Sequence, residues 1–218
     1  MPGQNEVTVG TDSPISPVTR RRHLKQVFTI VLAVGVSTCS SGDSPADAEP
    51  PTLDAPSGIA FELPERGGAR RQTSGSVPHV QLDAEPVPAV DAELRRRVFQ
   101  LPGVENRESD RSLPGARGLA LTAGLDLVRP DVITGSSEFA HIHPDGSLHV
   151  WLPVDSAVEV DRTKWGELHP WVSRDGFWDG VAMVYTPETP EELDITIRIV
   201  VDAYNFVVGA NLTPDDIP

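Results

Sequence analysis

Residues 138–151 read EFAHIHPDGSLHVW and hold His141, His143 and His149, half of the chain's six histidines. A neutral imidazole near pH 7 offers a lone pair that either ligates a metal or accepts a proton. Which of these is open depends on where the three rings point. In His143-Pro144-Asp145-Gly146-Ser147, Pro144 presets φ for the first loop position of a type I turn, and Gly146 supplies the left-handed residue of a G1 bulge. That loop pairs His143 with Ser147, Ile142 with Leu148, His141 with His149 and Phe139 with Trp151. Side chains alternate across a strand. Ala140, Ile142, Leu148, Val150 and Leu152 therefore share one apolar face, while Phe139, His141, His143, His149 and Trp151 share the other.

Three chemistries fit that second face. It is a solvated sheet face carrying rings and imidazoles without a task, or a metal site, or a pocket for an aromatic molecule. The His-x-His spacing with a cross-strand third His suits zinc, iron or copper. A carboxylate to complete such a site would come from Glu138 or Glu167, but strict alternation turns Glu138 away from the face. A pocket is favoured by a second cluster, Trp165-Gly166-Glu167-Leu168-His169-Pro170-Trp171. There, Trp165 and Trp171 offer rings, Glu167 a carboxylate and His169 a fourth imidazole, on a loop of the kind that often carries function. The plainer reading of that cluster is a helix end anchored by Trp. His79 has no visible partner and reads as structural.

The elements that must position these residues follow from periodicity and caps. Asp91 is expected to cap a helix with Leu94, Val98 and Phe99 on one side, stopped at Pro102-Gly103. Alternation over 117–128 reads as a half-buried strand. Asp155-Ser156 starts a helix that Gly166 is expected to end as a C′ residue. The apolar run 180–185 reads as a strand covered on both faces. Thr189-Pro190-Glu191-Glu192 reads as a capping box, opening a helix with Leu193, Ile197, Val200, Tyr204 and Val207 in one stripe. The expected fold class is α+β: a mostly antiparallel sheet of about four strands with two or three helices packed on it.

The flanks carry different information. Thr19-Arg20-Arg21-Arg22-His23-Leu24-Lys25 resembles a twin-arginine export signal. The apolar run 27–36 after it is too short to span roughly 30 Å of hydrocarbon and suits a signal-peptide core. Val36-Ser37-Thr38-Cys39 resembles a bacterial lipobox with Thr38 where a smaller residue is usual. Cys39 is the single cysteine, so no internal disulfide is available and lipidation is its expected use. Residues 1–38 are thus expected to be a signal peptide, and 39–76, rich in Pro, Gly, Ser and acidic residues, a disordered tether. The folded domain is expected over 77–208, with 209–218 a tail. The net charge of −14 argues against a nucleic-acid partner. It also means that membrane attachment would come through the lipid, with the protein on the extracytoplasmic side, rather than through anionic head groups.

EFAHIHPDGSLHVWLP (138–153), KWGELHPW (164–171) and VAMVYTPETPEEL (181–193), in that order, resemble the luciferase domain found in fungal bioluminescence enzymes and many bacterial proteins. The resemblance spans about 88–208. Fungal members oxidise a hydroxylated pyrone with molecular oxygen and emit light, without metal or flavin. The resemblance therefore implies binding or oxidation of a small aromatic molecule with no cofactor required. On that expectation one of His141, His143 or His149 removes an enol or phenol proton, Phe139 and Trp151 stack the ring, and His169 closes the pocket. The expectation from a different class is a non-catalytic surface module using the same histidines for a ligand or metal.

Overall fold

A computed structural model describes residues 61–217 of the chain. The arginine string, the apolar run and Cys39 lie outside the described residues. Among the described residues, no helix is long and apolar enough to cross a membrane.

The fold is α+β, as expected. Its elements in chain order are α1 (Pro88–Val98), β1 (Val104–Glu108), β2 (Arg117–Leu121), β3 (Glu138–Ile142), β4 (Leu148–Trp151), α2 (Val154–Arg162), β5 (Gly166–Leu168), β6 (Val181–Val184) and α3 (Pro190–Val208). The strands form one antiparallel sheet in the order β1-β2-β3-β4-β6-β5. The sheet has six strands rather than about four, because the short β1 and β5 carry no alternation long enough to read. The strand expected over 117–128 stops at Leu121, after which the chain turns.

Helix α3 behaves as its sequence dictates. The Thr189 hydroxyl accepts the Glu192 N–H, Pro190 occupies the first turn, and Gly209 closes the helix at φ 78°. The expected box is only half formed, since the Glu192 carboxylate accepts the N–H of Glu188 instead. The apolar stripe of α3 is buried against β3 and β4. Ala140, Ile142, Leu148 and Val150 from the strands join Ile197, Val200, Tyr204 and Val207 in the main apolar cluster.

Two caps differ from expectation. Helix α1 starts three residues before Asp91, with Pro88 in its first turn, which leaves Asp91 to pair with Arg95. Helix α2 ends at Thr163 and the chain reverses through Lys164 at φ 66°. Gly166 therefore opens β5 instead of capping α2, and a Cβ there would collide with the Met183 carbonyl of β6.

Both expected flanks of the domain reach into it. Residues 61–76, assigned by composition to the tether, pack on the domain. Leu63 is buried, Arg66 pairs with Glu192 at 2.8 Å, and the Thr73 hydroxyl donates to Glu167 at 2.7 Å. The expected tail is held too: Ile217 is buried, and Arg97 donates to the carbonyls of Pro214 and Ile217. These contacts fix backbone groups through scattered single residues, so composition gave no sign of them.

Candidate functional site

The hairpin adopts the bulged register. His143 N–H donates to the Ser147 carbonyl at 2.8 Å, Gly146 N–H donates to the His143 carbonyl at 3.0 Å, and Gly146 has φ 83°. Ile142 faces Leu148 and His141 faces His149. His141, His143, His149 and Trp151 consequently share the face turned away from α3. That face is not open to bulk water, and all four side chains are buried. They line a cavity of about 470 Å³ together with His79, Arg111, Leu113, His169, Trp171, Phe177 and the chain at Val77–Pro78.

Phe139 departs from the expected face. Between β2 and β3 the register slips, Leu119 facing Ala140 but Ala120 facing Glu138. This bulge inserts Phe139 as an extra residue and reverses the alternation before it. Phe139 turns into the core against Tyr204, ring centroids 5.7 Å apart. Glu138 takes the place on the histidine face that strict alternation denied it, and its Oε2 lies 3.5 Å from His141 Nδ1. Gly118, opposite His141, makes room, since a Cβ there would stand 2.5 Å from Glu138 Oε1.

The second cluster divides as well. His169 and Trp171 line the cavity, with Phe177 stacked on His169 at 4.8 Å. Trp165 does not reach the cavity. Its ring is covered by residues 64–66, with Nε1–H donating to the Pro64 carbonyl at 2.6 Å and Arg66 over its face. Trp165 thus anchors the N-terminal segment instead of binding a substrate. Glu167 stands behind the cavity wall and accepts from His79 Nε2 at 2.7 Å. His79, read from sequence as structural, is the missed member of the site. Its Nδ1 meets His149 Nε2 at 3.0 Å, and no local pattern announces a contact between residues 70 positions apart. Phe177 and Arg111 were also missed, because each arrives from a loop without periodicity.

Hydrogen bonding fixes two imidazole tautomers. Asp145 Oδ1 accepts the Ser147 hydroxyl at 2.7 Å, so Ser147 Oγ must receive the proton of His143 Nδ1, 2.9 Å away. The lone pair of His143 is therefore on Nε2. For His169 the reverse holds. Its Nδ1 accepts the Trp171 N–H at 3.1 Å, which places the proton of the neutral ring on Nε2. Burial, reinforced by the neighbouring imidazoles, lowers His143 and His169 to about 4 and puts His149 well below its ordinary value. These three rings are neutral at pH 7, and none of them needs a counter-ion.

The carboxylates behind them are ionised. Burial alone would raise Glu138, but His141, the Asp110 N–H and the Ser109 hydroxyl outweigh it and hold it below the usual range. Glu167 behaves alike, with His79 and Thr73 outweighing burial. Tyr185, whose hydroxyl donates to Glu167, is pushed up to about 12 by burial and by that carboxylate. Nitrogens of His79, His149 and His169, and separately of His141, His143 and His149, lie within 4.8 Å of one another, close enough to hold a metal ion.

The cavity thus pairs aromatic and aliphatic walls with a floor of buried imidazoles, of which His143, His149 and His169 are neutral. Apolar walls with a few convergent polar groups are the usual composition of a small-molecule pocket. Residues 136–203, from the bulge before the hairpin into α3, match the family model described as the luciferase domain. No curated protein and no solved structure matches the chain.

Proposed function

We propose that this luciferase-domain protein binds and oxidises a small aromatic molecule, a hydroxylated pyrone or phenol, in the histidine-floored cavity. The observation that carries the reading is the cluster of buried imidazoles beneath aromatic walls, with His143 and His169 neutral and oriented by hydrogen bonds. Trp151, Trp171 and Phe177 line the cavity and offer aromatic contacts to a planar ring, and His169 Nε2–H offers a hydrogen bond to an oxyanion. The floor accepts the acidic hydroxyl proton, which leaves an electron-rich anion held away from water. Molecular oxygen is the second substrate. The anion gives two electrons to O2 as a C–O bond forms, and the resulting peroxide anion recovers the proton from the imidazole to leave a hydroperoxide. All atoms and electrons are then accounted for.

The test is oxygen consumption with a panel of hydroxylated pyrones, phenols and catechols, alongside direct binding by fluorescence of the cavity tryptophans. Uptake that is abolished in His143→Gln supports the oxidase reading. Binding without any oxygen uptake would instead identify a non-catalytic module, and absence of both would remove the pocket as a ligand site.

The export reading belongs to the same proposal. The arginine string, the ten-residue apolar run 27–36 and Cys39 support a lipid-anchored protein on the extracytoplasmic side of the membrane. Cys39→Ala, or inhibition of lipoprotein signal peptidase, should block maturation. A protein that stays in the cytoplasm with residues 1–38 attached refutes it.

A further inference from the structure

His79, His149 and His141 form a chain between two carboxylates. Glu167 Oε1 to His79 Nε2 is 2.7 Å, and His79 Nδ1 to His149 Nε2 is 3.0 Å. His149 Nδ1 to His141 Nε2 is also 3.0 Å, and His141 Nδ1 to Glu138 Oε2 is 3.5 Å. With one proton on each ring, the three contacts of 3.0 Å or less use all three protons, and His141 Nδ1 stays buried with no hydrogen-bond partner and its lone pair toward Glu138. Buried lone pairs facing each other at such a distance repel. A second proton on one ring, or a cation bound between two of them, relieves that repulsion, and the grouping of ring nitrogens favours the cation.

The contact between His149 Nδ1 and His141 Nε2 is where a cation fits. If it lies there, every remaining proton is placed without conflict. His141 Nδ1–H points to Glu138. His149 Nε2–H donates to His79, whose Nε2–H donates to Glu167. His143, already fixed with its lone pair on Nε2, donates from Nδ1 through Ser147 to Asp145. Each of the three rings then backs, directly or through one relay, onto a carboxylate. This is the arrangement that orients metal-bound imidazoles and raises their basicity. The three carboxylates also supply negative charge opposite a dication.

We infer that His141 Nε2, His143 Nε2 and His149 Nδ1 form a three-histidine site for a divalent transition-metal ion, with its open side toward the cavity. All-imidazole donors suit zinc, iron, copper or nickel. The other candidate group, His79 with His149 and His169, fits less well, because the free nitrogen of His169 carries a proton. One ring nitrogen from each of His141, His143 and His149 lies within 4.8 Å of the others, and His141 Nε2 and His149 Nδ1 are 3.0 Å apart, a spacing compatible with two bonds of roughly 2.1 Å to a shared ion.

For the reaction, the inference rests on the proposed ligand pocket; the ion-binding part stands on the nitrogens alone. An ion held there would supply a positive charge for the ligand's oxyanion and a bound hydroxide able to take its hydroxyl proton as water. With the ion bound, that hydroxide would take over the proton-accepting role that the metal-free floor has in the proposed reaction.

The test is metal binding by the full chain, stripped with chelator and titrated with Zn2+ or Co2+. Stoichiometry is read by elemental analysis, and the Co2+ ligand field by visible absorption. The expected result is one ion per chain and a tetrahedral or five-coordinate cobalt spectrum. Ser147→Ala and Glu138→Gln, which keep the donors and disturb only their backing, should weaken binding by about 10- to 100-fold. His143→Gln should abolish it, and His169→Ala should leave it unchanged. Circular dichroism on each variant separates loss of the ion from loss of the fold. No uptake by the stripped chain, or loss of uptake in His169→Ala with retention in His143→Gln, overturns the site. Oxygen uptake that persists in metal-free protein would overturn its part in the reaction while leaving the pocket reading intact.

Discussion

Replacing Gly146 by Ala tests the hinge on which the histidine face depends. Gly146 sits at φ 83°, and a Cβ there would stand 2.8 Å from Thr186 Cγ2 and 3.3 Å from Pro86 Cγ. Left-handed backbone costs an L-residue about 1–2 kcal/mol. Thr186 cannot retreat freely, because its hydroxyl donates to the Asp145 carbonyl at 2.8 Å and its N–H donates to Gln81 Oε1 at 3.0 Å. Breaking one such bond adds about 1 kcal/mol. The total is about 2–3 kcal/mol, or a fall in Tm of about 4–12 °C for a domain of this size. Gly135→Ala is the matched control. Gly135 has φ 80°, and a Cβ there meets nothing within 4 Å, so it should show the backbone strain alone. Urea denaturation of both variants, with equal slopes, gives the difference directly. A Gly146→Ala loss no larger than that of Gly135→Ala refutes the packing argument. No loss in either refutes the strain argument as well.

Asp202 gives a pH-dependent prediction. Burial, opposed by Ser156 and Arg198, raises its carboxyl above the ordinary value, and its Oδ2 is buried without a hydrogen-bond partner. The folded state thus holds the proton more tightly than the unfolded one. The associated stability is complete below the unfolded value of about 3.9 and is lost as pH rises through the folded value. Asp202→Asn should therefore stabilise the protein at pH 7 by on the order of 1 kcal/mol, and thermal melts should show that gain closing toward pH 4. A gain that is constant with pH would point to packing instead. Trp165→Phe removes the hydrogen bond to Pro64 and should cost about 1 kcal/mol, with faster proteolysis in residues 61–76 and unchanged ligand binding. Altered binding at equal stability would put Trp165 back into the site. Trp171→Ala should do the opposite, weakening an aromatic ligand about tenfold with little effect on Tm, since Trp171 is 36% exposed at the cavity rim.

How much of this was legible in the sequence differs by element. The hairpin register followed from Pro144 and Gly146, because turn geometry is a property of a few adjacent residues. The same local rule placed His141, His143, His149 and Trp151 together. Helix α3 followed from Thr189, Pro190 and its stripe, and the family resemblance from three ordered segments. These are short-range facts, and α+β follows from them.

Tertiary structure alone decided the rest. One extra residue in β3 exchanged the faces of Phe139 and Glu138, and its cause lies across the sheet, where Gly118 leaves room for the carboxylate. His79 joined the site from 70 positions away, and Trp165 left it because residues 64–66 cover its ring. Residues 61–76 have the composition of a tether, yet a few single contacts hold them to the domain. In each case the deciding energy is a contact between positions far apart in the chain. Periodicity and turn chemistry fix backbone direction within an element, but which distant groups face one another across a cavity is set by how the elements pack.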